Sequence, residues 1–182
     1  ICVPADAESA VLAAPFIRRV EELGVPSIIF INRIDAAQNR IAEIVSALQA
    51  YSRHHIVLRE VPIREGGTIT GFVDLVSERA WKFEEGRHSV MIEMPDSVKD
   101  REAAARTELL ESYADLDDHL MEELIEDHQP VPGEVYAVAA KALRENAVIE
   151  CFIGSASKRH GITRLMKSLR HDAPGVEVAA IS

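Results

Sequence analysis

The sequence predicts an open parallel α/β sheet interrupted by an inserted α+β lobe. Three observations carry this. Residues 1 to 52 alternate buried strand and amphipathic helix, residues 53 to 146 give short strands with glycine turns and then acidic helices, and residues 147 to 171 return to strand and helix. Strands linked by crossover helices pair parallel, whereas strands linked by tight turns pair antiparallel. Residues 172 to 182 read as a C-terminal linker.

In chain order, "ICVPA" reads as a buried strand. Residues 12 to 23 read as a helix with Leu12, Phe16, Val20 and Leu23 on its apolar face. Pro15 is tolerable in a first turn, and Gly24 is a stop signal. "SIIFI" is a second buried strand. A helix follows from about Ala36 to Ala50, with Ile41, Ile44, Val45 and Leu48 inward.

"HHIVLREVPI", "TITGFVDLV", "RAWKF" and "SVMIEM" then look like short antiparallel strands, separated by Gly66-Gly67 and by Glu85-Gly86. Helices are expected over Val98 to Ala114, Asp118 to His128 and Pro132 to Asn146. Leu109, Leu110 and Tyr113 mark the apolar face of the first; Leu120, Met121, Leu124 and Ile125 mark that of the second. "AVIECFIGS" is another near-continuous apolar strand, and residues 161 to 170 form a helix carrying Ile162, Leu165, Met166 and Leu169.

At 182 residues the chain can hold one substantial core, or a core and a smaller lobe. With 47% hydrophobic but only 5% aromatic residues, the interior is built from Val, Ile, Leu and Ala. No apolar run approaches the roughly 18 residues of a membrane span, so no membrane partner is expected. "ICVPADAESA" lacks a signal peptide's basic start. The chain opens without Met inside a strand, which reads as an excised piece of something longer. Cys2 and Cys151 give neither a disulfide framework nor metal spacing, which suits a reducing cytoplasm.

Charge is unevenly spread. Glu93 to Glu134 carries 14 acidic and 3 basic residues, or −11 of the net −10, leaving the rest at about +1. Such a block reads as a solvated helical surface and is unsuited to gripping nucleic acid. His119, Glu122, Glu123, Glu126 and His128 invite a metal reading. Their histidines are nine residues apart, however, not the four that would stack on one helical face, so no metal site is expected. His54 and His55 are adjacent in a strand and point to opposite faces. Ser155 lacks the elbow glycines and positioned acid of a nucleophile.

Ligands of open parallel sheets bind outside the carboxyl ends of the strands. Two strands here finish in polar residues suited to that place: "FINRID" and "FIGSAS". Guanine explains the first, because its N1–H and 2-amino group are neighbouring donors that one carboxylate, Asp35, can accept together. Adenine would leave Asp35 unpaired, and such mismatches are rejected by as much as ~10⁴-fold. Asn32 can donate to a ring acceptor or hold the neighbouring loop, and Arg33 can lay its stem along the base face. Gly154, Ser155 and Ala156 allow backbone N–H groups to approach a carbonyl such as guanine O6. Read alone, N-x-x-D also fits ordinary turn and cap residues.

With these residues in view, the chain resembles the translational GTPases and, among them, elongation factor G. "GVPSIIFINRID" is similar to that family's guanine-specificity segment, with Arg33 where the family has lysine. "CFIGSASKRHGITRLMKSL" resembles its second base-binding segment. "VPIREGGTITGFVDLV" and "LLESYADLDDHLMEELIEDH" resemble the lobe that elongation factor G inserts into its GTPase domain.

The resemblance implies a partial P-loop-GTPase-like sheet and GTP or GDP as ligand, with magnesium in the whole protein. It places the base on Asn32, Arg33, Asp35, Ser155, Ala156 and Ser157. The implied partner is the ribosome, with the lobe over 53 to 146 contacting stalk proteins of the large subunit. It also puts Cys2 and Cys151 on strands flanking "SIIFI", roughly 9–10 Å apart and too far for a disulfide.

No G-x-x-x-x-G-K-[ST] phosphate loop, magnesium-binding threonine or D-x-x-G segment is present; in the family these lie ahead of the stretch resembled here. The expectation is a base-recognising piece of a GTPase with no catalytic residue of its own. Alone it should neither hydrolyse GTP nor bind it tightly. The alternative is a non-catalytic interaction module, from a divergent paralogue, that docks a partner through the lobe. The first strand is expected to leave an open edge and to favour self-association.

Overall fold

The computed structural model describes residues 1–37 and 40–175. The expected linker over 172 to 182 therefore lies, from residue 176 on, outside the described residues.

Among the described residues the strands form two four-stranded sheets. The first is wholly parallel, in the order β1 (Cys2–Pro4), β2 (Ile28–Asn32), β8 (Val148–Ile153), β3 (His55–Leu58). The second is antiparallel, in the order β4 (Glu60–Glu65), β5 (Thr68–Asp74), β6 (Arg79–Lys82), β7 (Val90–Ile92). The helices are α1 (Ala14–Glu22), α2 (Ile41–Gln49), α3 (Asp96–Ala114), α4 (Asp118–Ile125), α5 (Pro132–Arg144) and α6 (Ile162–His171). The expected mixed architecture is thus present. Cys2 and Cys151 are free, on the strands either side of β2.

The last strand in sequence takes a central place. β8 lies between β2 and β3, with all six of its residues buried, which is why it reads as a continuous apolar run. Its register sets Ile31 beside Ile153 and Val57 beside Glu150.

Three expectations need correction. "HHIVLREVPI" is not one antiparallel strand: β3 pairs parallel with β8, and only β4 pairs antiparallel with β5. Arg59 is the junction, since its N–H donates to Cys151 O at 2.9 Å and its carbonyl accepts from Leu75 N at 3.0 Å. In the first helical segment the buried residues are Ala10, Ala13, Ala14 and Ile17, whereas Leu12 and Phe16 are 67% and 62% exposed. A tight 3-10 turn over Glu8–Ala13 precedes α1 and shifts the phase, and the small alanines bring the backbone close to its neighbours. On α6, Met166 and Leu169 are exposed and Ser168 is the buried residue.

Ser168 is buried because it joins a polar network inside the fold. Its hydroxyl donates to Asp172 Oδ2 at 2.7 Å and to Glu150 Oε2 at 3.4 Å. Glu150 Oε1 accepts from Arg59 Nη1 and, at 2.9 Å, from the Tyr113 hydroxyl. Arg59 and Glu150 are both fully buried. Burial, reinforced by the Glu150 carboxylate, holds the Tyr113 phenol protonated well above its usual range. Nearby, Glu60 is fully buried, and its Oε2 accepts from Ile153 N at 2.9 Å. Burial lifts its carboxyl to about 8.

Removing one partner of a buried pair strands the other charge. Glu150→Ala is therefore expected to cost about 3–5 kcal/mol, read from urea unfolding. Glu60 gives a pH signature. Between about 4.5 and about 8 the unfolded chain releases this proton while the folded chain keeps it. The contribution of Glu60 to stability therefore falls as pH rises through that window and is flat above it. The stability difference between the unsubstituted protein and Glu60→Gln should follow that course in urea titrations across pH.

Candidate functional site

β2 and β8 are neighbours and parallel, so the loops that leave Asn32 and Ile153 emerge at the same end of the sheet. Backbone bonds join them at once: Gly154 N–H donates to Ile31 O at 2.9 Å, and Ile34 N–H to Gly154 O at 3.1 Å. The Asn32 side chain completes the tie. Its Oδ1 accepts from Arg33 N and from Ala156 N, both at 2.9 Å. Of the two roles open to Asn32, holding the neighbouring loop is the one its oxygen performs.

Asp35 sits in a short 3-10 turn, Ile34–Ala36, entered through Arg33 in the left-handed region at φ 63°. Asp35 Oδ2 lies 3.4 Å from Lys158 Nζ. Oδ1 is buried with no hydrogen-bond partner. The nearby Ser155 hydroxyl, and then Lys158, hold the carboxyl below its ordinary range against the opposing effect of burial. At neutral pH Asp35 is thus a carboxylate, steadied by the Ser155 hydroxyl and Lys158, whose buried Oδ1 takes no well-formed hydrogen bond among the described residues. A buried acceptor without a donor is costly, and a ligand carrying donors would relieve it.

The second loop is a tight reversal. Ser155 and His160 exchange backbone bonds, each at 3.0 Å, and the buried Ser155 hydroxyl lies 3.2 Å from that of Ser157. Both flanking glycines are required. A Cβ on Gly154 would meet His160 O at 2.4 Å, and one on Gly161, at φ 74°, would meet Ile153 O at 2.3 Å. The ring of His160 stacks on Phe83 at 4.4 Å between centroids, and burial lowers its pKa.

Asn32, Asp35, Ser155, Ala156 and Ser157 are accordingly brought together. Arg33 adjoins them with its residue exposed. The amides of Ser155 and Ala156 are already taken by His160 O and Asn32 Oδ1. Those of Ser157 and Lys158 are the loop's remaining donors among the described residues. Sequence reasoning passed over Lys158, whose position one residue past "GSAS" was the available signal. It also passed over His160, for which no sequence signal exists.

His119 and Glu123, one turn apart on α4, meet Glu134 on α5 with possible ligand atoms within 4.8 Å of one another. Glu134 already accepts from Val131 N at 3.2 Å, and the cluster is at the surface. It reads as part of the solvated acidic face.

The Asn32 tie is testable. Asn32→Ala should cost about 1 kcal/mol, the net worth of such a bond, in urea unfolding. Amide exchange at Ala156 should quicken, while that at Gly154, bonded to Ile31 O, should not change.

No family model matches the chain. It is 30% identical over 180 residues to an elongation factor G-like protein of Synechocystis sp., covering 99% of this chain and 27% of the relative. It is 26% identical over 160 residues to elongation factor G 2 of Desulfotalea psychrophila, covering 86% and 23% respectively. With elongation factor G of Thermotoga neapolitana it shares 28% identity over 154 residues, covering 84% and 22%. The chain thus spans about a quarter of the length of these curated relatives. A crystal structure of a Thermus thermophilus protein has the same fold, with a TM-score of 0.81 at 21% identity over 95% of this chain and 26% of that one. By sequence, this stretch belongs to the elongation factor G family.

Proposed function

We propose that this chain is the guanine-recognising part of a ribosome-associated translational GTPase that acts in elongation. The observation that carries the reading is Asp35: an ionised carboxylate beside the Ser155 hydroxyl, with a buried Oδ1 that takes no well-formed hydrogen bond among the described residues, facing a loop that Asn32 holds in place. In this reading Asp35 accepts from N1–H and the 2-amino group of guanine. Ser155, Ala156 and Ser157 form the wall beside O6, with the amides of Ser157 and Lys158 as donors. The stem of Arg33 covers the base face, and Lys158 keeps Asp35 ionised between ligands.

The ligand is GTP or GDP. No residue of this chain is assigned to the phosphates or to magnesium, and none is assigned a catalytic step. The lobe that follows Arg59 and runs to residue 146 serves as the contact surface for ribosomal stalk proteins. Residues 1 to 58, with β3 in the parallel sheet, and 147 to 171 make the nucleotide core. Among the described residues β1 has a partner on one side only, which supports pairing of that edge with another strand or with a second copy.

The non-catalytic alternative rests on one observation, the name of the Synechocystis relative, which is only elongation factor G-like. In that reading the same lobe docks a partner without turnover.

The test uses the full-length gene product that carries this segment. Asp35→Asn replaces one acceptor oxygen by a donor. That removes the match to guanine and creates one to xanthine, whose C2 carries oxygen. GDP affinity should fall by on the order of 10²-fold or more while xanthosine diphosphate gains, measured by calorimetry. Unchanged GDP affinity would sink the proposal.

A further inference from the structure

The chain is acidic overall, at −10, yet residues 158 to 171 carry Lys158, Arg159, Arg164, Lys167 and Arg170 without a single carboxylate. This run is the end of the second loop and the whole of α6. Three cavities follow one another where α6 meets β6 and the β6–β7 turn. One of about 830 Å³ is bordered by Arg87, His88, Arg159 and Thr163. A narrower one of about 50 Å³ shares His88 and Thr163 with it and adds Trp81, Arg164 and Lys167. The third, about 620 Å³, shares Trp81, Arg164 and Lys167 with the second and adds Arg79, Tyr136 and His171. The shared walls set the three cavities in a row along α6, narrowest where His88 meets Thr163, and this row is the groove.

Four of the groove's cations are uncommitted. Among the described residues Arg79, Arg87, Arg159 and Lys167 take part in no ion pair. Its carboxylates are few. Glu84 borders one end. Asp74 and Asp172 are buried in the floor, engaged by Arg164 Nε at 2.5 Å and by the Ser168 hydroxyl at 2.7 Å. The walls are held together, since His88 Nδ1 lies 2.9 Å from Thr163 Oγ1. Flat rings interleave with the charges: half-buried Trp81 and Tyr136, and His88.

We propose that the groove along α6 binds a single-stranded polynucleotide, with Arg79, Arg87, Arg159 and Lys167 on its phosphates and Trp81 as a stacking face. The length favours a polymer over a lone anion, because ten helical residues span ~15 Å, with cations from end to end. The rings favour a polynucleotide over an acidic peptide. Basic grooves that track a strand use aromatic faces for base stacking, and a run of carboxylates has no base to place there. None of these four cations contacts Asp35, so the proposal stands apart from the guanine reading.

Trp81 is the only tryptophan in the chain, which makes it a reporter. Titrating the 182-residue chain with a short oligouridylate should quench its fluorescence. Affinity should fall with salt at a log–log slope of about −2 to −3, as three or four contacted phosphates give. Lys167→Glu and Arg79→Glu should each weaken binding about tenfold, and Arg18→Glu on α1 should not, with circular dichroism confirming that each variant folds. Arg159→Gln is a milder replacement should a reversal unfold the chain. The proposal is overturned if quenching is absent or if the reversals leave affinity unchanged. It is equally overturned if polyglutamate competes as well as oligouridylate, which would make the ligand an acidic protein segment.

Discussion

The buried pair of Arg59 and Glu150 is the constraint on which the rest of the structure depends. Arg59 occupies the point where the chain leaves the parallel sheet for the antiparallel one, and its backbone bonds to both. Glu150 lies in the central strand. Around its carboxylate gather Tyr113 from α3 and Ser168 from α6, helices that belong to opposite halves of the molecule. A charge pair in this setting adds little net stability compared with apolar packing, but leaving either member alone is costly. Its effect is specification. The two sheets and the two helices reach their places together, because any arrangement that separates them leaves an ion in the interior.

The candidate site inherits that rigidity. Both of its loops spring from adjacent strands of the same sheet. They are stitched by main-chain bonds within two residues of the strand ends and then by the Asn32 oxygen. Close approach of the backbones is possible only because residues 154 and 161 lack a side chain. α6 begins directly after Gly161, so the same turn that shapes the second loop also aims the basic helix.

Much of this was legible in the residues, and the parts that were not share a cause. Fully buried strands show as apolar runs. The ends of "FINRID" and "FIGSAS" marked the candidate site because polar residues directly after such runs stand at the carboxyl ends of strands, the place where parallel sheets bind ligands. β3 was misassigned because its partner lies about ninety residues away, and local alternation carries no record of distant pairing. The faces of the first helix and of α6 were misread because periodicity says which residues share a side, not which side is covered. Phe16 and Met166 lie on apolar stripes that the described residues leave open. Arg59, Glu60 and Glu150 passed as ordinary charges. The available signal was opposite charges set within otherwise apolar runs, "VLREV" and "VIECF".

The position of β8 also bears on how the protein is made. β2 and β3 flank a gap that is filled by a strand emerging from the ribosome about 115 residues after Asn32. Once β3 has emerged too, about 90 residues remain, so at roughly 5–20 residues per second both apolar strands wait about 5–18 seconds for their shared neighbour. During that interval the antiparallel sheet and then the acidic helices emerge and can form, so by its end the nascent chain carries a charged lobe beside an unfinished core. The lobe's negative surface is then well placed to keep neighbouring nascent chains apart until the central strand arrives.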